Sequence, residues 1–285
     1  MSLAVLTLVL AAAVAHAGWN LLAKPAAGGA AFVWLCAVAA TLLYLPALVL
    51  ALAADRGALG WTALALMGGS GVLHALYFVG LQRAYATGDL SVVYPLARGT
   101  GPLLSATAAI AFLGERPSAV ALAGATLIVA AVFALIRRSE DGTAAVGQGT
   151  VFAVLTGAAI AGYTLWDKRA VDAEGLSPIV YYWGTNLATT ALLTPVALRR
   201  REALRRAWAT SRARAAGVGL LSPLAYVLIL YALARAPVSA VAPARESSIV
   251  VGTLLGIFVL GEGDRRRRLA AAAAILLGVV VLTLG

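Results

Sequence analysis

Two arginines that could bind an anion, and one glutamate, lie inside long apolar segments of the chain. Arg98 follows Pro95 by three residues, Arg245 follows Pro243 by two, and Glu246 is next to Arg245. An ionisable side chain near the centre of a bilayer costs at least about 2.5 kcal/mol, so it normally has a functional role. The planar guanidinium group matches carboxylate or phosphate oxygens in a bidentate way. The two arginines therefore predict a binding site for a small anion.

A structural role for the same residues is the alternative. Each proline leaves a carbonyl in the preceding turn without its donor, and an arginine could bond that carbonyl or pair with Glu246. Glu246 is also a candidate for proton uptake coupled to cargo movement, although the cation of Arg245 beside it opposes this role.

Polar residues form a stripe on the first predicted helix. His16, Trp19, Asn20 and Lys24 have the spacing i, i+3, i+4 and i+8, which places them on one helical face. Polar groups on one face of an apolar helix normally look into the bundle or a water-filled cavity, so this stripe predicts a lined path. Hydrogen-bonded packing is the alternative for His16 and His74, and an interfacial position is the alternative for Trp19. The predicted binding residues are Arg98, Arg245, Glu246, His16, Trp19, Asn20, His74, Tyr77, Tyr94, Tyr163 and Tyr226.

The composition identifies the environment of these residues. Hydrophobic residues make up 62% of the 285 residues, charged residues make up 12%, and the mean hydropathy is +0.92. This composition is typical of an integral membrane protein, and the continuously apolar segments favour helices over a β-barrel. We therefore predict an all-α membrane fold with ten transmembrane helices. They cover residues 3–23, 30–53, 61–86, 90–113, 118–135, 149–167, 177–198, 215–234, 238–260 and 269–284.

The second half of the chain repeats the first in three separate segments and in the same order, which indicates a duplication rather than chance agreement. The pairs are HAGWNLLAK with IAGYTLWDK (residues 16–24 and 160–168), Trp34 and Pro46 with Trp183 and Pro195, and residues 84–115 with residues 232–262. Five helices per repeat make the second copy enter the membrane from the opposite side. Inverted repeats of this kind are typical of secondary transporters, whose binding site lies at the repeat interface. The predicted domains are residues 1–138 and 149–285, joined by a linker at 139–148.

These features resemble a known family over nearly the whole chain. The first helix with Trp19, the five-helix repeat, and the pattern P...LGE that closes each half, Pro95 to Glu115 and Pro243 to Glu262, resemble the EamA-type drug/metabolite transporters. HAGWNLLAK and LQRAYATGDLSVVYPLARGTGPLL resemble a bacterial branch sometimes found beside phosphonate-utilisation genes. The resemblance implies transport of small metabolites, amino acids, nucleotide sugars or drugs, by exchange or with protons, and leaves the cargo open.

The residues and the resemblance together predict a secondary transporter or exchanger that moves a small polar, anionic metabolite by alternating access. The alternatives are an efflux carrier for amphipathic compounds and a flippase for lipid-linked substrates. We expect no enzyme activity, because the spans contain no Ser/His/Asp set, no close carboxylate pair and no activated cysteine. We expect no cofactor and no metal, because the two histidines lack ligating neighbours and Cys36 is the single cysteine.

The basic residues that give the net charge of +10 indicate how the chain is oriented in the membrane. Fourteen Lys and Arg residues lie in the odd-numbered connections and five in the even-numbered ones. The positive-inside rule then places the odd connections in the cytoplasm and both termini outside, whereas the family resemblance implies both termini inside.

The predicted partners are a small metabolite, the lipid bilayer, protons as coupling ion and a second copy in a homodimer. Nucleic acid is not expected, because the basic runs flank membrane spans. The predicted location is a cell membrane, the inner membrane of a bacterium.

Two further motifs have structural interpretations. The glycine-rich string MGGSGV at residues 67–72 lies in an apolar span, which predicts close helix packing rather than a phosphate loop. Glu115 and Glu262 occupy equivalent helix ends in the two halves and are predicted to anchor those ends.

Overall fold

The protein is all-helical in the part of the chain that the computed structural model describes, residues 1–23, 29–54, 60–88, 90–135, 147–258 and 265–285. Within these ranges there are twelve α-helices, one π-helical turn and no strand. The α-helices are α1 (Leu3–Ala23), α2 (Gly29–Leu43), α3 (Leu45–Ala54), α4 (Trp61–Thr87), α5 (Leu90–Phe112), α6 (Ala119–Phe133), α7 (Gln148–Lys168), α8 (Pro178–Arg199), α9 (Arg201–Leu233), α10 (Val238–Ala244), α11 (Ser247–Phe258) and α12 (Arg265–Leu284). The π-helical turn, Arg169–Ala173, directly follows α7.

Many of these helices are suited to a lipid environment. Six helical segments of the described ranges are long and apolar enough to cross a membrane, or seven if α2 and α3 form one span. The pair α10 and α11 counts as one of the six. The chain is therefore a multi-pass membrane protein.

Two predicted helices are broken. The helix predicted at residues 30–53 consists of α2 and α3, which are bent by 42°, because Pro46 has no N–H to continue the helical ladder. The helix predicted at residues 238–260 is interrupted between α10 and α11 at Arg245 and Glu246. Pro243 precedes this interruption, and two of the three charged candidate residues lie in it.

The connection predicted at residues 199–214 is wrong, because α9 begins at Arg201 and is 33 residues long. Arginine and alanine are strong helix formers, so an arginine-rich segment continues a helix as readily as it ends a membrane span. The helix is about 50 Å long at 1.5 Å per residue, compared with roughly 30 Å of hydrocarbon. Its first turns therefore extend beyond the apolar layer, where Trp208 is 57% exposed.

The two halves pack against each other reciprocally. Helix α1 contacts α9 and α11, and its counterpart α7 contacts α4 and α5, which are the counterparts of α9 and α11. The equivalent helices α2 and α8 contact each other, as do α6 and α12. Trp34 Nε1 donates to Thr194 Oγ1 (2.9 Å), and its counterpart Trp183 Nε1 donates to the carbonyl of Thr41 (2.9 Å). Each of these contacts that a helix of one half makes with the other half thus has an equivalent contact made by the corresponding helix.

The glycine-rich string permits close helix approach, as predicted. A Cβ atom on Gly71 would lie 2.6 Å from the Cβ of Ala188 on α8, and one on Gly69 would lie 2.6 Å from the Trp166 ring. These distances are far below van der Waals contact, so α4 can reach α7 and α8 only with glycine at these positions.

Glu115 anchors a helix of the opposite half. Its two carboxylate oxygens accept hydrogen bonds from the backbone N–H groups of Val238 (2.7 Å) and Ser239 (2.8 Å), at the start of α10. The carboxylate satisfies N–H groups that have no partner inside the helix. Lys24, which belongs to the predicted stripe of the first helix, and Glu262 lie outside the described residues.

Candidate binding site

A buried ion pair joins the two halves of the chain. Arg98 on α5 lies with its Nη2 atom 3.0 Å from Glu246 Oε2 and donates a hydrogen bond to Ser248 Oγ (3.1 Å). Arg98 is 8% exposed and Glu246 is 2% exposed. The sequence places Glu246 beside Arg245, but its ion-pair partner is Arg98.

The interruption between α10 and α11 positions these groups. Pro243 cannot donate a backbone hydrogen bond, and the turn tightens after it. Glu246 N donates to Pro243 O (3.0 Å), three residues back instead of four, and Ser248 N donates to Arg245 O (3.3 Å). The side chains of Arg245 and Glu246 therefore leave the helix at a joint and not along a regular helical face.

Arg245 has a different environment from Arg98. Its side chain is partly exposed, and its Nη2 atom donates to Tyr163 Oη (3.2 Å). No carboxylate of the described ranges forms an ion pair with Arg245. Arg98 is thus neutralised within the protein, whereas Arg245 keeps a positive charge that an anion could neutralise.

Two buried polar atoms beside the ion pair make no hydrogen bond. They are Arg98 Nε and Ser247 Oγ. Because buried polar atoms are nearly always satisfied, a group of unsatisfied ones needs an explanation, such as a bound molecule or water. Both donor and acceptor capacity is therefore available at this place.

An aromatic cluster lies next to Arg245. The rings of His74 and Tyr163 are stacked, with centroids 4.2 Å apart and planes inclined by 22°. Tyr226 contacts both edge to face, at 5.4 Å from His74 and 5.9 Å from Tyr163. Tyr77 meets Tyr163 at 6.0 Å. The cluster brings together residues of α4, α7 and α9, and the hydroxyl of Tyr163 links it to Arg245.

Of the remaining predicted residues, His16 and Tyr94 lie near the arginines. Both Arg98 and Arg245 act electrostatically on His16, and Tyr94 lies near the charges of Arg98 and Glu246. Trp19 packs instead against an apolar cluster of α2 and α9. Within α1, Trp19 Nε1 donates to His16 Nδ1 (3.3 Å) and Asn20 Nδ2 donates to the carbonyl of His16 (2.7 Å), so the predicted stripe approaches the arginines only at His16.

Three residues with polar contacts in this region were missed from the sequence: Asp167, Tyr181 and Ser248. Asp167 is 0% exposed and accepts hydrogen bonds from the hydroxyls of Tyr181 and Tyr226. Ser248 accepts a hydrogen bond from Arg98. The duplication could have drawn attention to Asp167. It is a charged residue of IAGYTLWDK at the position where HAGWNLLAK has the apolar Ala23.

The comparison with known families concerns the half of the chain that contains Arg245 and Glu246. Residues 147–284 match the EamA-like transporter family. The match supports the resemblance to the EamA-type drug/metabolite transporters and indicates a membrane transporter of small substrates. Members of this family are transporters, not enzymes.

A solved structure agrees with the fold over the whole length. It is described only as the crystal structure of a protein, and it is similar to this chain with a TM-score of 0.77 at 18% sequence identity. The similarity covers 100% of this chain and 98% of the other. No curated protein matches the sequence.

The site is shared between the EamA-like half and the half before it. The EamA-like half contributes Tyr163, Tyr226, Arg245 and Glu246, and the first half contributes Arg98, His74 and Tyr77. A movement of one half against the other would change the distances within this site.

Proposed function

We propose that the protein is a secondary transporter or exchanger for a small polar organic anion, with its binding site at Arg245 and Arg98. The observation that carries this proposal is the unequal state of the two arginines. Arg98 is held by Glu246, and Arg245 has only a tyrosine hydroxyl. A carboxylate or phosphate group would find an uncompensated guanidinium at Arg245 and unsatisfied donors beside it.

Glu246 is the counter-ion that the cargo replaces. A bound anion near Arg98 repels the Glu246 carboxylate and competes with it for the guanidinium. Because the ion pair connects α5 to the joint between α10 and α11, its exchange for a mobile anion loosens a contact between the halves. Cargo binding is thereby linked to the movement that opens the site to the other side.

The movement we propose is alternating access by two inverted five-helix halves, each with five membrane spans. The reciprocal packing of α1 and α7, α2 and α8, and α6 and α12 supports this arrangement. The excess of Lys and Arg in the odd connections favours both termini outside, in the inner membrane of a bacterium. The resemblance to the phosphonate-associated branch stays a prediction and does not define the cargo.

Efflux of amphipathic compounds is the second candidate, because of one specific observation. The four rings of His74, Tyr77, Tyr163 and Tyr226 form a continuous aromatic surface beside the arginines. An aromatic or apolar compound would use this surface, and its binding would depend on the rings more than on the arginine charges.

The first test determines whether the ligand is an anion or a cation. The purified protein is heated with acetate, lactate, succinate or phosphate, and with tetramethylammonium or choline at equal ionic strength. A ligand that binds the folded form raises the melting temperature. We expect the anions to do so and Arg245→Gln to abolish the effect, while the exposed Arg235→Gln serves as control. Stabilisation by the cations alone would contradict an anion site.

Transport is then measured in vesicles with the radiolabelled anion that stabilises the protein. Saturable uptake of unchanged anion, accelerated by the same anion inside, is expected for an exchanger. Arg98→Gln and Arg245→Gln should each lower the uptake at least tenfold. Movement of fluorescent lipid without anion uptake would instead favour a flippase.

A further inference from the structure

Asp167 is a buried carboxylate that the anion site does not use. It lies at the end of α7, just before the π-helical turn Arg169–Ala173, and is 0% exposed. Tyr181 Oη donates to Asp167 Oδ1 (2.6 Å), and Tyr226 Oη donates to Asp167 Oδ2. A carboxylate inside a membrane protein is expensive and normally functional.

No cation in the described ranges forms an ion pair with Asp167. The adjacent Lys168 turns away: its Nζ atom donates to the carbonyls of Leu233 (2.7 Å) and Ala236 (3.2 Å) and pairs with Asp172 (2.9 Å). The carboxylate is therefore stabilised by two hydroxyl groups, and its negative charge has no salt-bridge partner.

The polar groups around Asp167 can provide oxygen ligands to a cation. The hydroxyls of Ser70 and Thr185 face the hydroxyl of Tyr181, and the carbonyl of Leu66 lies 3.4 Å from it. Thr185 is 4% exposed, and its Oγ1 atom makes no hydrogen bond. Oxygen ligands suit hard cations. One carboxylate suits a single positive charge, and no group of three or more His, Cys, Asp or Glu occurs within the described ranges.

The fold itself does not require this polar group. At the positions equivalent to Asp167, Tyr181 and Tyr226, the first half of the duplicated sequence has Ala23, Phe32 and Phe78. All three counterparts are apolar, and the two phenylalanines differ from tyrosine only by the hydroxyl. The same helices thus form without the carboxylate and without the two hydroxyls that bond it.

Tyr226 connects Asp167 to the anion site. Its hydroxyl bonds the carboxylate, while its ring contacts His74 and Tyr163, and Tyr163 accepts the hydrogen bond from Arg245. A positive charge at Asp167 would remove a negative potential from the neighbourhood of Arg245. It would therefore strengthen the binding of an anion there.

We infer that Asp167, with Tyr181 and Tyr226, binds a Na⁺ ion whose uptake is coupled to that of the anion. The coupling rests on the proposed function, whereas cation binding does not. The titratable groups that face Asp167 are His74 from α4, Tyr181 from α8 and Tyr226 from α9. Arg245, at the joint between α10 and α11, is connected to it through Tyr163 and Tyr226. On α5, Arg98 is neutralised by Glu246.

Cation binding is measured by thermal unfolding of the purified protein in an uncharged detergent. Choline chloride is replaced by NaCl at constant ionic strength and pH 8.5. The replacement should raise the melting temperature, by about 5 °C at a 100-fold excess of Na⁺ over the dissociation constant. Asp167→Asn should abolish that increase, and the exposed Glu202→Gln should retain it.

A second variant tests the same assignment in case Asp167→Asn does not fold. The triple substitution Asp167→Ala, Tyr181→Phe and Tyr226→Phe introduces the residues with which the first half forms the same helices, and it should also lose the response. An increase with NaCl that persists in Asp167→Asn would overturn the assignment. So would the absence of any response to Na⁺ in the unaltered protein.

Coupling is measured in vesicles that accumulate the anion identified by the charge test. An inward gradient of the cation should raise the initial uptake rate at least fivefold, and in Asp167→Asn the ratio of rates with and without the gradient should fall to about one. An unchanged ratio would overturn the coupling. If no anion is transported at all, the proposed function fails, while the thermal response to Na⁺ still decides whether Asp167 binds the ion.

Discussion

Arg98 and Glu246 lie 3.0 Å apart, Nη2 to Oε2, in an ion pair that connects the first half of the chain to the second. Glu246→Gln leaves a buried guanidinium without a counter-ion, which costs about 3–5 kcal/mol. We expect its melting temperature to fall by at least about 6 °C and that of Arg98→Gln to fall similarly. The double variant should recover most of this loss, because it removes both charges. A double variant as unstable as the single ones would contradict a mutual pairing.

Tyr163→Phe tests the orientation of Arg245. The substitution removes the hydroxyl that accepts the Arg245 hydrogen bond and keeps the ring that stacks on His74. The loss of about 1 kcal/mol from one hydrogen bond corresponds to roughly fivefold weaker anion binding. The dissociation constant is obtained by titrating the anion in thermal unfolding, with Tyr231→Phe as control. Equal affinity in both variants would show that Tyr163 does not position the guanidinium.

Two glycines of α4 form a matched pair for testing helix packing. A Cβ atom on Gly71 would meet Ala188 at 2.6 Å, whereas one on Gly68 would meet nothing within 4 Å. Gly71→Ala should therefore destabilise the protein by about 1–3 kcal/mol through overpacking, and Gly68→Ala should be neutral or slightly stabilising. The comparison uses thermal unfolding of both variants. Equal melting temperatures would mean that α4 and α8 are farther apart than described.

Glu115→Ala tests the anchor at the start of α10. It removes the acceptors of the Val238 and Ser239 N–H groups, and we expect a loss of about 1–2 kcal/mol. Glu115→Gln keeps one oxygen and should lie between the alanine variant and the unaltered protein. The exposed Arg116→Gln should change nothing measurable, so the order of the four melting temperatures checks the capping role.

Labelling of single cysteines tests the inversion of the two halves. In a Cys36→Ala background, cysteine is placed at Ser2, before α1, or at Gln148, the first residue of α7. Five predicted spans between these two positions place them on opposite sides of the membrane. An impermeant maleimide applied to intact cells should therefore label only one of them. Labelling of both from the same side would exclude inverted repeats.

The apolar segments were predictable from the sequence, but their ends and joints were less so. The bounds of α1 agree with the prediction, since both ends coincide with a change in polarity. The start of α9 was missed, because arginine ends a membrane span without ending a helix. The interruption at Arg245 was missed as well. A proline indicates a lost hydrogen bond, and only the packing around it decides whether the helix bends or breaks.

The candidate site shows a similar limit. The ionisable residues Arg98, Arg245 and Glu246 could be identified, because charge is rare in apolar segments. Their pairing could not be predicted, since neighbours in the chain point in different directions while Arg98 approaches from another helix. Asp167 was placed at the edge of a predicted span. Its burial depends on Tyr181 and Tyr226, which α8 and α9 bring to it from distant parts of the sequence.

The reciprocal bonds of Trp34 and Trp183 have a consequence for how such a protein can change. If the two halves were separate, identical molecules, every substitution would appear twice, once on each side of their shared axis. Fusion into one polypeptide removes this restriction, so one half can have Asp167 where the other has Ala23. A single mutation can then make an otherwise symmetric molecule differ between its two sides and favour one direction of transport.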